Sequence, residues 1–186
     1  MKEPPAEILR RLRPIPTTVG PPTTVPRDVV GIGPDGTPCR IGVESDPEPV
    51  LLLFLSSGCL GCRDLWEGLA ELRATLRGVA RVVAVTRSPG AEEPSAVAAL
   101  AGESAVVMSS EAFSHYRVSG PPFLVVAASD GVRTESVAWG VEQTGRIALD
   151  AARTAPAETA ARTAPAETAE CAGTAERALH HRGPEA

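Results

Sequence analysis

The feature that most restricts the fold of this chain is a pair of apolar runs that flank a helical pattern. Residues 50–55 read VLLLFL and residues 79–86 read VARVVAVT, and each run is expected of a strand that is buried on both faces. Between the runs, leucines recur at helical spacing at Leu65, Leu69, Leu72 and Leu76. Two buried strands joined by a helix predict a right-handed βαβ unit, and therefore an α/β fold.

Further elements are predicted on both sides of this unit. Residues 29–43 alternate apolar and polar side chains around a Pro-Asp-Gly turn, which predicts an amino-terminal β-hairpin. Residues 123–128 predict a third core strand, and an Asp-Gly turn leads from it into an antiparallel strand over 132–139. A helix over 141–152 closes this region.

The chain is expected to contain one domain with a segment of different composition at each end. Residues 1–27 hold seven prolines and are predicted to be a flexible, extended lead. Residues 28–152 carry the predicted strands and helices. Residues 153–186 are predicted to be a disordered, low-complexity tail, since the nine-residue sequence ARTAPAETA occurs at 152–160 and again at 161–169 without a large apolar side chain. A helix that forms on docking or on binding a partner is the alternative.

Charge and hydropathy exclude several classes of partner. The net charge of −5 argues against a nucleic-acid-binding protein, which usually presents a basic face. The longest apolar run has six residues, whereas a membrane-spanning helix needs about 20. No secretory signal is visible at the amino terminus, which favours a cytoplasmic location.

The residues with the most distinctive chemistry are Cys59 and Cys62, which are separated by Leu60-Gly61. They follow the first buried strand and stand where the helix begins. Unpaired N–H groups at a helix amino terminus favour a thiolate, so Cys59 is expected to have a depressed pKa and to be the attacking sulfur. Cys62 lies on the same helical face, where it can attack a mixed disulfide formed by Cys59. Three interpretations of this cysteine pair are open: an inert buried pair, a zinc site completed by other Cys or His residues, and a thioredoxin-like redox motif.

A second motif, Gly120-Pro121-Pro122, stands directly before the third core strand. A proline at the entrance to a strand often marks a tight turn and is sometimes cis.

Together, the strand VLLLFL, the turn SSGCLGC and the segment YRVSGPPFLVV resemble the thioredoxin superfamily, and within it the TlpA-like and MauD-like thiol–disulfide oxidoreductases. The resemblance covers about residues 28 to 150. It implies a thioredoxin-like fold, with a central mixed sheet flanked by helices and an extra amino-terminal hairpin. It also implies exchange of thiols and disulfides by Cys59 and Cys62.

The resemblance further assigns a substrate-binding groove. Pro122 corresponds to the family's cis-proline that faces the cysteine pair, Pro121 occupies the position usually held by Thr or Val, and Gly58 precedes the first cysteine. The implied partners are protein disulfides or dithiols and an unidentified redox partner, with no cofactor and no metal. The family's location is extracytoplasmic or membrane-associated, which would require an amino-terminal anchor that this sequence does not show.

Three positions depart from thioredoxins. Gly58 replaces a tryptophan, Leu60-Gly61 replaces Gly-Pro, and Leu53 replaces a buried aspartate that relays protons. Reductase, oxidase and isomerase activities therefore all stay open. A thioredoxin-fold binding module without turnover is the alternative function, followed by a metal-delivery protein.

The remaining cysteines and the tryptophans carry simpler predictions. Cys39 is expected to be a small buried residue of the hairpin, and Cys171 an exposed thiol of the tail. Trp66 and Trp139 are both expected in the core, and a platform for substrate is the alternative for each.

Overall fold

The described part of the chain, residues 25–154 of a computed structural model, alternates strands and helices. Its strands are β1 Val29–Ile32, β2 Pro38–Ile41, β3 Val50–Phe54, β4 Arg81–Thr86, β5 Val106–Met108, β6 Phe123–Ala128 and β7 Gly131–Val137. Its helices are α1 Arg63–Glu67, α2 Leu69–Thr75, α3 Pro94–Ala101, α4 Ser110–His115 and α5 Val141–Arg153, with a 3-10 turn at Leu60–Cys62. Most of the predicted lead and tail, including Cys171, lies outside the described residues.

The strands form one mixed sheet in the order β2-β1-β5-β4-β3-β6-β7. Strand β3 pairs in parallel with β4 and antiparallel with β6. The predicted hairpin is present as β1 and β2, and it joins the sheet through an antiparallel contact between β1 and β5. The predicted α/β fold with a central mixed sheet and an amino-terminal hairpin is therefore confirmed.

Two apolar cores cover the two faces of the sheet, and β3 contributes to both. Leu51, Leu53 and Leu55 pack with α1, α2, α3 and α5 on one face. Val50, Leu52 and Phe54 pack on the other face, where Phe54 meets the Phe113 ring of α4 edge to face at a centroid distance of 5.0 Å. Every residue of β3 is buried, as expected for a strand covered on both faces.

The predicted single helix after the cysteines is divided at Gly68. Gly68 lies between α1 and α2, and a Cβ atom placed on it would come within 2.1 Å of the Val141 Cγ2 atom at the start of α5. The absence of a side chain at Gly68 lets α5 pack closely against this part of the chain. Leucine spacing could not reveal the division of the helix, because the leucines keep facing the same core across the break.

The substitution Gly68→Ala is expected to destabilise the protein. Helix propensity alone favours alanine by about 1 kcal/mol, but the added methyl group meets the stiff side chain of Val141 and the Asp64 carbonyl oxygen at 3.1 Å. Overpacking of this kind costs about 1–3 kcal/mol. Urea denaturation should show a lower free energy of unfolding for Gly68→Ala. Gly120→Ala is the control, because its Cβ position has no neighbour within 4 Å in the described part of the chain. A stability gain for Gly68→Ala would contradict the packing described for Gly68.

Candidate active site

The loop that follows β3 holds both cysteines. The Ser56 carbonyl oxygen accepts a hydrogen bond from the Cys59 amide at 3.4 Å and from the buried Trp66 indole nitrogen at 3.2 Å. The Cys62 amide donates to the Cys59 carbonyl oxygen at 3.0 Å, which closes the 3-10 turn. Cys59 thus caps a 3-10 turn, and α1 begins only at Arg63.

The two sulfur atoms have different surroundings. Both cysteines are free thiols, but Cys59 is partly exposed whereas Cys62 is fully buried in the core shared with Leu53. The pKa of Cys62 is raised to about 12, mainly by burial and next by the hydrogen bond with Cys59, against the lowering effect of a hydrogen bond from the Ser56 backbone. The pair is therefore asymmetric, since Cys62 keeps its proton while Cys59 meets solvent.

Pro121 and Pro122 lie beside the cysteines, at the entrance to β6. The peptide bond between them is cis. The Cys59 sulfur lies 3.9 Å from the Pro121 carbonyl oxygen. A Cβ atom on Gly61 would lie 3.6 Å from the Pro122 Cδ atom. The structure thus brings the two cysteines next to Pro121 and Pro122, although Cys59 and Pro121 are 62 positions apart in the sequence.

The surface next to Cys59 is open. Gly58 is exposed, and no atom of residues 25–154 outside its chain neighbours lies within 4 Å of its Cβ position. Leu60, between the cysteines, is 83% exposed. Gly58 therefore leaves free the space that a larger side chain would fill before the first cysteine.

Trp139 lies on the surface, so the prediction that it belongs to the core is wrong. Trp139 is 64% exposed, whereas Trp66 is buried as predicted. The chain at Trp139 has just left β7, and the amide of the preceding residue, Ala138, donates to the Pro122 carbonyl oxygen at 3.2 Å. This bond places Trp139 near the proline side of the site.

Glu92 is a residue of this region that the sequence analysis missed. It lies in the loop after β4, is 9% exposed, and its Oε2 atom accepts hydrogen bonds from the Ser57 amide at 3.0 Å and the Ser57 hydroxyl at 2.5 Å. Its charge acts on Cys62 and raises the pKa of that thiol, after the larger effects of burial and of Cys59. One signal was available, because loops that follow adjacent parallel strands meet at one edge of a sheet.

The other candidates lie apart from the site. Cys39 is buried on β2, as predicted, and packs in the core on the opposite face of the sheet from Cys62. Within residues 25–154, no three His, Cys, Asp or Glu side chains are grouped so that they could hold a metal ion. None of the helices in that range has the length and apolar character to cross a membrane.

Comparison with solved structures identifies the fold of this chain. The thioredoxin domain of a thiol-disulfide oxidoreductase from Bacteroides vulgatus matches with a TM-score of 0.55 and 16% identity, over 69% of this chain and 96% of that chain. The chain has the thioredoxin fold. A thiol:disulfide interchange protein DsbE from Chlorobium tepidum matches with a TM-score of 0.55 and 21% identity, over 68% of this chain and 96% of that one.

Another protein with this fold is the peroxidoxin BcpB from Mycobacterium tuberculosis, which matches with a TM-score of 0.56 and 18% identity, over 72% of this chain and 96% of that chain. No family model and no curated protein sequence matches the chain. At these identities the likeness shows the thioredoxin fold, as predicted, and the chemistry has to be argued from the residues of the site.

The asymmetry of the two thiols predicts selective alkylation. In the reduced protein, iodoacetamide at pH 7–8 should modify Cys59 and spare Cys62, because a thiol whose pKa is raised to about 12 stays protonated and unreactive throughout that range. Modification of Cys62 should rise only as the pH approaches 12. Peptide mapping by mass spectrometry locates the label. Equal labelling of both thiols at pH 7 would contradict the asymmetry.

Proposed function

We propose that the protein is a thiol–disulfide oxidoreductase that acts on protein disulfides through Cys59 and Cys62. The observation that carries the proposal is a dithiol with one accessible and one buried sulfur, held beside a proline pair at the end of a thioredoxin-fold sheet. An exchange reaction needs an accessible sulfur that attacks and a second sulfur, shielded from substrate, that resolves the intermediate.

The exchange proceeds in two steps. The Cys59 thiolate attacks one sulfur of a substrate disulfide, so that a mixed disulfide forms and the other substrate sulfur leaves as a thiolate. Cys62, after losing its proton, attacks the Cys59 sulfur, so that the Cys59–Cys62 disulfide forms and the second substrate thiolate leaves. Two electrons pass from the protein to the substrate, and the reverse sequence oxidises a substrate dithiol.

The substrate groove is assigned to Pro121, Pro122 and Gly58. The partly exposed prolines border Cys59, and the Pro121 carbonyl oxygen lies 3.9 Å from the Cys59 sulfur. Gly58 leaves open space on the approach to that sulfur. An extended peptide that presents a disulfide can thus reach Cys59 without displacing a side chain at Gly58.

Two exposed apolar side chains favour a protein as substrate. Leu60 is 83% exposed and Trp139 is 64% exposed, and both belong to segments that flank the proline pair. Exposed tryptophan is enriched among the residues that dominate protein–protein contacts. A small-molecule disulfide such as glutathione disulfide would not need this apolar surface.

Replacement of each cysteine should separate the two steps. Cys59→Ser is expected to abolish reduction of insulin disulfides, because no accessible nucleophile is left in the pair. Cys62→Ser is expected to stop turnover but to accumulate mixed disulfides with protein substrates, because the intermediate cannot be resolved. Non-reducing electrophoresis with mass spectrometry detects the trapped species.

The double substitution Cys59→Ser/Cys62→Ser is the control for trapping by other thiols. Absence of exchange by the wild-type protein in both directions, with no trapped species in Cys62→Ser, would rule out the oxidoreductase. A biological role that survives Cys59→Ser would favour the binding module instead. The reduction potential of the pair against glutathione then assigns the direction of electron flow.

Trp139→Ala should lower kcat/KM for protein substrates but not for small disulfides. Loss of one buried contact of about 1 to 1.4 kcal/mol lowers kcat/KM for insulin about five- to tenfold. The rate with dithiobis(nitrobenzoate), a small disulfide, should stay unchanged, because it does not reach the tryptophan.

Val30→Ala is the matched control for this substitution. Val30 is 57% exposed on β1, four strands away from β6 in the sheet, and its loss should change neither rate. An equal loss with both substrates in Trp139→Ala would show that Trp139 supports the site and does not bind protein.

A further inference from the structure

The resolving step requires a base that the core around Cys62 does not provide. Cys62 is fully buried, so its proton cannot pass directly to bulk water, and this burial, which persists in the mixed disulfide, raises the pKa of the thiol. Leu53, where the resemblance would place a proton-relaying aspartate, is a fully buried apolar member of the same core. The base must therefore come from another element.

Glu92 is held close to Cys62 by the loop that carries the cysteines. The Ser56 backbone makes a hydrogen bond with the Cys62 sulfur, and the next amide, that of Ser57, donates to the Glu92 carboxylate. Consecutive Cα atoms are only about 3.8 Å apart, so adjacent peptide groups hold the sulfur and the carboxylate. The negative charge of Glu92 also raises the pKa of Cys62, as expected of a carboxylate near the thiol.

The loop that presents Glu92 is itself fixed. The Ala91 and Glu92 amides both donate to the Ser88 carbonyl oxygen, at 3.1 and 3.3 Å, in a turn that Gly90 allows with a φ of 97°. Ser88 and Ser110 exchange two hydrogen bonds of 2.9 Å, each from one amide to the other hydroxyl. The carboxylate thus has a defined position before any substrate binds.

The charges around this carboxylate leave it available as a base. The ion pairs found among residues 25–154 join other residues, and no cation within that range forms one with Glu92. The charged groups whose fields act on Cys62 are Cys59, from its own turn, and Glu92, from the loop after β4. Arg63 and Asp64, at the start of α1, are both exposed.

We propose that Glu92 is the proton acceptor for Cys62 in the resolving step, a role that rests on the proposed oxidoreductase function. The Glu92 carboxylate takes the Cys62 proton as the Cys62 sulfur attacks Cys59 in the mixed disulfide. The Cys59–Cys62 bond forms, the bond from Cys59 to the substrate sulfur breaks, and the substrate leaves as a thiolate. Glu92 then returns the proton to solvent, or to Cys62 when the reaction runs in reverse.

The substitution Glu92→Gln tests this role, because glutamine keeps the shape and an oxygen that accepts from Ser57 but cannot take the proton. Dithiobis(nitrobenzoate) resolves the two steps, since attack by Cys59 releases one coloured thiolate and resolution by Cys62 releases a second. General base catalysis contributes about 10²- to 10⁴-fold. The second release should therefore slow at least tenfold in stopped-flow measurements, while the first stays within about twofold of wild type.

Glu93→Gln is the matched control. It removes the same charge from the adjacent, exposed residue, whose carboxylate only accepts a bond from the Ser95 hydroxyl at 3.1 Å. Both releases should keep their wild-type rates in this variant.

The direction in which Glu92→Gln changes the rate of the second release distinguishes a proton acceptor from a charge that acts only through its field. Because the charge of Glu92 raises the pKa of Cys62, its removal lowers that pKa, and a purely electrostatic role would make the second release faster in Glu92→Gln. A second release that is unchanged or faster overturns the proposal. An equal slowing of both releases also overturns it, since it would mark a structural role for Glu92.

The wild-type protein provides a test that does not depend on the variant folding. With Glu92 as the base, the second release should be independent of pH between about 7 and 9, because Cys62 passes its proton to a group of the protein and not to hydroxide from solvent. A tenfold rise per pH unit across that range overturns the proposal. If the wild-type protein reacts with no disulfide at all, the oxidoreductase function fails; if it reacts and Glu92→Gln matches it, only the role of Glu92 fails.

Discussion

The burial of β3 on both faces is the constraint on which the candidate site depends. Since all of its residues are covered, β3 must have a strand on each side and a layer of helices above and below. Parallel pairing with β4 brings the loops after β3 and β4 to one edge of the sheet, and antiparallel pairing with β6 brings the entrance of β6 to that edge. The cysteines, Glu92 and the proline pair therefore converge without any direct link in sequence.

The same packing makes the two thiols unequal. The 3-10 turn directs Cys62 into the core and leaves Cys59 at the surface. Transfer of a charge into such a core is costly, which is why Cys62 holds its proton and Cys59 is the sulfur assigned to attack. A polar loop next to an apolar core thus gives two identical side chains different surroundings, and the same loop holds the buried carboxylate of Glu92 through Ser57.

Several parts of the site could be predicted because their signals are local. The C-x-x-C spacing after a buried strand, the Gly-Pro-Pro segment before another and the Pro-Asp-Gly hairpin turn each lie within a few residues. Predictions failed where a distant contact decides. Residue type predicts Trp139 in the core, but the chain leaves β7 before it and no element among residues 25–154 covers it. The close contact that requires glycine at position 68 is made by Val141, which lies more than 70 positions away.

The sequence by itself determined the two buried strands with the helical segment between them, the C-x-x-C pair after the first of these strands and the proline pair before the third core strand. Periodicity, turn residues and motif spacing are properties of neighbouring residues, and these features depend on nothing else. Only the tertiary structure decided that Glu92 would bond to the loop that carries the cysteines, which tryptophan would be exposed, and how far each sulfur would be buried. Those properties depend on strand pairing and on burial, which are set by contacts between segments that the sequence keeps far apart.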